Sequence, residues 1–253
     1  MQSLDPDLRH TPLSYYHPDG PLGEVMQKVM ARPDPVRRWA VGLGAGSLAC
    51  YGDRAGSPWT FVEIDPVVIR IARDSGHFGF LSDCGPDARI LEGDGRLRLA
   101  EAPDGGLDLL VMDAFTSDAI PLHLMTLEAF ELYRSKMADG GVILVHISNR
   151  AINLRPVVGN VAALAGLQAS VRLDAGDPEV PFRTASEWIV LARDAQTIDD
   201  LGLAPEWTKL EASPDHRPWT DDYADILPYL HWEVWRLASL DRLLGRDDDD
   251  EGQ

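Results

Sequence analysis

Residues 109–121 read LLVMDAFTSDAIP: four apolar residues run into Asp113, and Asp118 follows five positions later. An unbroken apolar run is the mark of a strand covered on both faces. Such sheets are mainly parallel, and parallel strands need crossovers of a dozen or more residues, usually helices. The flanking sequence has that alternation. RRWAVGLG (37–44), WTFVEID (59–65), ARILEGDG (88–95), LDLLVMD (107–113) and GVILVHISN (141–149) read as five strands. Helical patterns are expected at 20–32, at 66–76 with Pro66 in the first turn, in a short stretch after 95, at 122–141 and at 154–166. LQASVRLDAG (167–176) and SEWIVLARD (186–194) are late strands, 195–220 is loop-like, and 221–245 is a helical region broken by Pro228. The expected class is α/β with a mainly parallel sheet and helices on both faces. The expected organisation is an N-terminal irregular segment and helix (1–36), a catalytic domain (37–245) and an acidic disordered tail (246–253).

Asp113 then ends strand four on the edge formed by the carboxyl ends of the strands, where open α/β sheets bind ligands. The other strands deliver candidates to the same edge. Gly42, Gly44 and Gly46 follow strand one, where the backbone must turn sharply and come close to a ligand. Glu63 ends strand two, 21 positions after Gly42, where a carboxylate accepts from both ribose hydroxyls. Asp65 beside it has two readings, a second acid of the cofactor site or the cap of the helix that Pro66 opens, and the cap is favoured. Asp94 in GDG follows strand three, and is either a reader of an adenine amino group or a helix cap. Asp113 can hold an ammonium and take its proton. Asp118 is a second cation site or a plain loop residue, and the loop 114–121 is a candidate lid. The acid after strand three, and glycines spaced GxGxG rather than GxGxxG, suit S-adenosylmethionine or a derivative better than a nicotinamide dinucleotide.

Bulk composition narrows the partners. The chain has 253 residues and a net charge of −18, five of those charges lying in the run 247–251. Nucleic acid is a poor partner for so acidic a surface, whereas a small cation is drawn to it. No apolar stretch approaches the roughly 20 residues of a membrane span, and the N-terminus has no apolar signal core, so a cytoplasmic protein is expected. Cys50 and Cys84 have no paired spacing and the seven histidines are scattered, so neither a disulfide framework nor a metal site is expected.

The segments VGLGAGSL (41–48), FVEIDP (61–66), ILEGDG (90–95) and LLVMDAFTSDAIPLHLMTLEAFELY (109–133) together resemble the spermidine synthase family of polyamine aminopropyltransferases. PLSYYHPDGPLG (12–23), VHISNR (145–150) and WTDDYADIL (219–227) resemble the spermidine-synthase-like domains often fused to major-facilitator-type membrane segments. The resemblance covers roughly residues 3–230. It implies a Rossmann-like methyltransferase fold with a seven-stranded sheet. It also implies decarboxylated S-adenosylmethionine (or its parent) as the bound donor, a small cationic amine as partner, no metal, and a homodimer. By the same resemblance Gly42, Gly44 and Gly46 form the cofactor loop, Glu63 holds the ribose, Asp94 reads the adenine and Asp113 activates the amine. Tyr15 or Tyr16 contacts the amine. The chain departs from the family in its Asp113–Asp118 spacing, followed by Ile120-Pro121-Leu122-His123. His146 and Asn149 stand where typical members have Gln, and the family's N-terminal β-structured segment has no counterpart in this sequence. His146 is a candidate second base or a buried strand histidine. Two other readings stand beside aminopropyl transfer: methyl transfer to a small molecule, and nucleoside or polyamine binding without catalysis. Trp207 and Trp219 read as core or interface, and Trp232 with Trp235 as a dimer contact.

Overall fold

The computed structural model describes residues 2–52, 57–114 and 121–231. The expected strands form: β1 Arg38–Val41, β2 Trp59–Glu63, β3 Arg89–Glu92, β4 Leu107–Met112, β5 Met137–His146, β6 Gln168–Asp174 and β7 Ser186–Ala192, joined by a two-residue β8, Thr208–Lys209. They make one eight-stranded sheet in the order β3-β2-β1-β4-β5-β7-β6-β8. β1 to β5 pair with one another in parallel, while β7 runs antiparallel to both β5 and β6, and β8 antiparallel to β6. The sheet is therefore mixed and eight-stranded, mainly parallel as expected but with an antiparallel end beyond β5 and with eight strands instead of seven. β7 enters between β5 and β6 from the opposite end, reached from β6 through residues 175–185, too short a link for a helical crossover.

The helices lie on both faces: α1 Pro21–Met30, α2 Pro66–Asp74, α3 Phe80–Cys84, α4 Gly95–Ala100, α5 Leu127–Lys136, α6 Arg155–Leu164 and α7 Ala195–Asp199. One core layer joins α4, α5 and α6 to the sheet through Leu99, Phe130, Tyr133, Val158 and Trp219. The other joins α1, α2 and α3 through Met26, Val29, Ile69, Leu81 and the strand residues Trp59 and Trp188. α1 thus shares a core layer with the sheet although it precedes β1.

Three local expectations are corrected. The pattern at 122–141 divides. Leu122–Leu124 is a 3₁₀ turn, Thr126 accepts from Ala129 N to cap α5, and at Met137 the chain turns extended (ψ 137°) to begin β5. Residues 195–220 carry α7, capped by Asp194, and β8. Residues 221–231 are not helical apart from the 3₁₀ turn Leu227–Tyr229. Residues 232–245, with Trp232 and Trp235, and the acidic tail lie outside the described residues.

Cys50 and Cys84 form a disulfide, against the expectation from their spacing. Cys50 ends the 3₁₀ turn Ser47–Cys50 just beyond the glycine loop, and Cys84 ends α3. Packing brings them together: a Cβ on Gly85 would lie 2.9 Å from the Ala49 Cβ, so the two short helices meet where only glycine fits. The bridge closes a sequence separation of 34, worth about 3–4 kcal/mol by loop-closure entropy. Reduction, or the double change Cys50→Ser/Cys84→Ser, is expected to lower Tm by about 10 °C in a thermal melt.

Among the described residues no helix is long and apolar enough to cross a membrane, and no cluster of three or more His, Cys, Asp or Glu is placed to hold a metal ion.

Candidate active site

Parallel register sets the site. Val41 lies level with Val62 on one side and Met112 on the other, so the residues that follow, Gly42, Glu63 and Asp113, leave the sheet on one edge. Gly42 N donates to Val62 O and Asp113 N to Val41 O, both at 2.8 Å. At Gly42 the backbone has φ +101°, and a Cβ would stand 2.1 Å from the Asp113 carbonyl oxygen. Only glycine allows that approach. Gly44 also has positive φ, with nothing within 4 Å of where its Cβ would stand, so its backbone faces open space. Gly46, at φ +83°, turns the chain into the next 3₁₀ turn against Leu81 and does not line the cavity.

The edge encloses a cavity of about 220 Å³, whose walls include Tyr16, Gly44, Glu63, Asp94, Asp113 and His123. The three acids expected at the ends of successive strands thus open on one space. Glu63 is half-buried and gripped by two backbone donors: Leu43 N to Oε2 and Asp65 N to Oε1, each 3.0 Å. The first ties it to the glycine loop. Asp65 accepts from Val67 N at 2.7 Å and caps α2, as favoured, while still touching the cavity. Asp94 caps α4 through Leu97 N at 2.9 Å and also lines the cavity. Burial pushes its carboxyl up, but the Leu97 amide and His123 pull it further down, leaving it below the usual carboxylate range.

Asp113 is different. Its side chain is only 5 % exposed, and burial raises its carboxyl pKa, opposed by His146. The Tyr16 hydroxyl donates to Oδ2, and His146 Nδ1 lies 2.8 Å from Oδ1. Tyr16 is therefore the tyrosine at the carboxylate. Tyr15 stacks on the His146 ring, and burial and the nearby Asp113 charge hold its phenol strongly protonated. The strand histidine reading also holds, since His146 is buried and stands behind Asp113 rather than in the cavity wall. Asp118 and most of the 114–121 loop lie outside the described residues.

Sequence reasoning assigned no role to two residues. His123 lines the cavity, and its Nε2 sits 2.8 Å from Asp94 Oδ2. Its signal was the unusual Ile-Pro-Leu-His run after the loop. Ser148 joins the Asp113 network through His146, which only the strand pairing reveals. The WTDDY segment acts at a distance: Asp221 takes a bidentate pair from Arg96 at 2.6 and 2.7 Å and a hydrogen bond from Thr126, pinning α4 to the start of α5.

Comparison with known proteins first fixes the class. A probable spermidine synthase from Corynebacterium glutamicum superposes with TM-score 0.55 at 18% identity, over 79% of this chain and 81% of that one. The spermidine synthase of Thermotoga maritima gives 0.52 at 15%, covering 76% and 68%. A precorrin-6y C5,15-methyltransferase from Geobacter metallireducens gives 0.50 at 14%, covering 70% and 90%. At such identities the likeness speaks for the fold, an α/β S-adenosylmethionine-binding fold of the methyltransferase and spermidine-synthase type. In sequence, the polyamine aminopropyltransferase of Vibrio vulnificus is 32% identical over 122 residues, 47% of this chain and 40% of that protein. The match spans less than half the length of that relative. No family model matches the chain.

Proposed function

We propose that the chain moves an aminopropyl group from decarboxylated S-adenosylmethionine to a small amine, releasing methylthioadenosine. The observation that carries this reading is the buried Asp113, opening on the same cavity as Glu63 and Asp94. The residues fit the donor. Gly44 offers bare backbone, Glu63 has lone pairs left for ribose hydroxyls, and Asp94 is an acceptor for an adenine amino group. Ile64, 58% exposed on the cavity wall, offers an apolar surface to a base. Four carboxylates on one cavity, Asp65 included, suit a cationic sulfur.

When bound, such a donor supplies an electron-poor carbon beside positive sulfur. The amine lone pair forms the new C–N bond as the C–S bond breaks, and the bonding pair leaves with sulfur as a neutral thioether. The chain's part is to deliver the amine neutral and aligned. A lysine-like amine of pKa about 10.4 is neutral in fewer than about one molecule in a thousand near pH 7. Asp113 Oδ2, held by the Tyr16 hydroxyl, binds the ammonium and takes its proton. Orientation supplies much of the remaining rate. The segments around Tyr16, His146 and Asp221 support a placing among the domains often fused to major-facilitator-type membrane segments.

Methyl transfer is the second reading. The methyltransferase superposition favours it, and the same glycines and acids would hold the parent cofactor. The test is incubation with each cofactor form and a panel of diamines and polyamines, read by mass spectrometry. A product enlarged by an aminopropyl group, with methylthioadenosine, is expected. A methylated product, or tight nucleoside binding with no product across the panel, overturns the proposal in favour of methyl transfer or a binding role.

A further inference from the structure

We infer that His146 is a positioning residue, locked by Ser148 and the Glu187 amide in the tautomer that points a hydrogen at Asp113, so that the carboxylate facing the cavity is held charged and aimed. The inference deepens the aminopropyl-transfer reading and takes its substrate from it, but its geometry is independent of that substrate.

Glu187 N donates to Ser148 Oγ at 2.8 Å. An amide nitrogen can only donate, so this contact uses one of the two lone pairs of Oγ and leaves the hydroxyl hydrogen and the second lone pair for His146. His146 Nε2 lies 2.7 Å from the same Oγ. The charged Asp113 carboxylate can only accept, so the ring hydrogen sits on Nδ1, which faces Asp113 Oδ1 at 2.8 Å, and Ser148 then donates to Nε2. The opposite tautomer would set Nδ1's lone pair against the carboxylate's. The ring is also fixed in its plane, sandwiched between Tyr15 at 4.5 Å and 19° and Trp188 at 4.6 Å and 21°. The pairing of β5 with β7 creates the lock, because it sets His146 level with Trp188 and carries Glu187 to Ser148.

The order Asp–His–Ser is that of a hydrolase triad, but the direction of service is reversed. Asp113 lines the cavity and Ser148 does not. Ser148 and His146 therefore act on the carboxylate. The groups facing Asp113 are the Tyr16 hydroxyl, the Tyr15 ring and His146, while Glu63, Asp65, Asp94 and His123 share its cavity. Burial favours a protonated Asp113, and His146 opposes it.

The test is NMR on the protein without donor or amine. Nitrogen spectra are expected to show His146 neutral near pH 7 with its hydrogen on Nδ1, and Ser148→Ala to turn that single tautomer into a mixture. Carbon spectra of Asp113 are expected to place its titration one to two pH units higher in His146→Leu than in wild type, the loss of one donor to a charged acceptor. His146→Gln, which keeps an N–H donor, is expected to restore most of the shift. Should His146→Leu fail to fold, Ser148→Ala carries the same test with a smaller change. A hydrogen on Nε2, an imidazolium near pH 7, or an Asp113 titration unmoved in a folded His146→Leu overturns the inference. A lock that behaves as described in a chain that makes no aminopropyl product leaves this inference standing and removes the functional reading instead.

Discussion

Asp113→Asn is expected to lower turnover about 1,000-fold or more while leaving the affinity for methylthioadenosine near that of wild type. The amide keeps the size and can still accept from His146 Nδ1, so the cavity wall is preserved. It cannot pair with an ammonium or take its proton. Stability should move the other way. Burial raises the Asp113 carboxyl in the folded chain above its value in the unfolded one. A carboxyl raised on folding contributes stability below its unfolded pKa and loses it as pH rises through the folded one. Near pH 7 the wild type therefore carries the cost of a buried charge that Asn lacks. The Tm of Asp113→Asn should equal or exceed that of wild type near neutral pH, with the gap closing as pH falls. Product analysis, calorimetry with methylthioadenosine and melts across pH check the three parts. Turnover near wild type would remove Asp113 from the chemistry, and a large loss of nucleoside affinity would assign it to cofactor binding.

The candidate site was legible where one strand supplies one residue. Val41-Gly42, Glu63 and Asp113 each sit where an apolar run ends, and a parallel sheet leaves such ends on one edge. Local chemistry was also readable: Asp65 before Pro66 is a cap by residue type, and it caps. What escaped depends on pairings far apart in sequence. The His146–Ser148 lock needs Glu187, 39 residues beyond Ser148, brought back by a strand that runs antiparallel. The disulfide needs two short helices pressed together at Gly85 and Ala49, which no cysteine spacing announces. At 122–141 the apolar spacing continues through Met137 into the sheet because a strand buried at both ends and a helix face use the same residues, and periodicity alone does not separate them. The cap at Thr126 was the available signal.

Glu63→Gln is expected to weaken methylthioadenosine binding about 100-fold, the worth of one to two hydrogen bonds to a charged group. The change is isosteric, so its effect comes from donors and acceptors alone. In wild type both oxygens are already in use, one on Leu43 N and the other on Asp65 N, and the remaining lone pairs face the cavity. An amide has a single oxygen. Whichever backbone donor it satisfies, its NH₂ confronts the other N–H, and the ribose hydroxyls lose a charged acceptor. If the NH₂ is turned to Leu43, the glycine loop loses its tie to β2, and Gly44 with it. The defect should appear as a raised KM for the donor, with kcat at saturation falling far less, because Asp113, Tyr16 and His146 are untouched. Asp65→Ala separates binding from scaffolding: it removes the cap of α2, costs about 1 kcal/mol of stability, and should change nucleoside affinity little. Equal losses of affinity in the two variants would mean that the start of α2, not the Glu63 carboxylate, holds the nucleoside, and unchanged affinity in Glu63→Gln would empty the cavity of its proposed occupant.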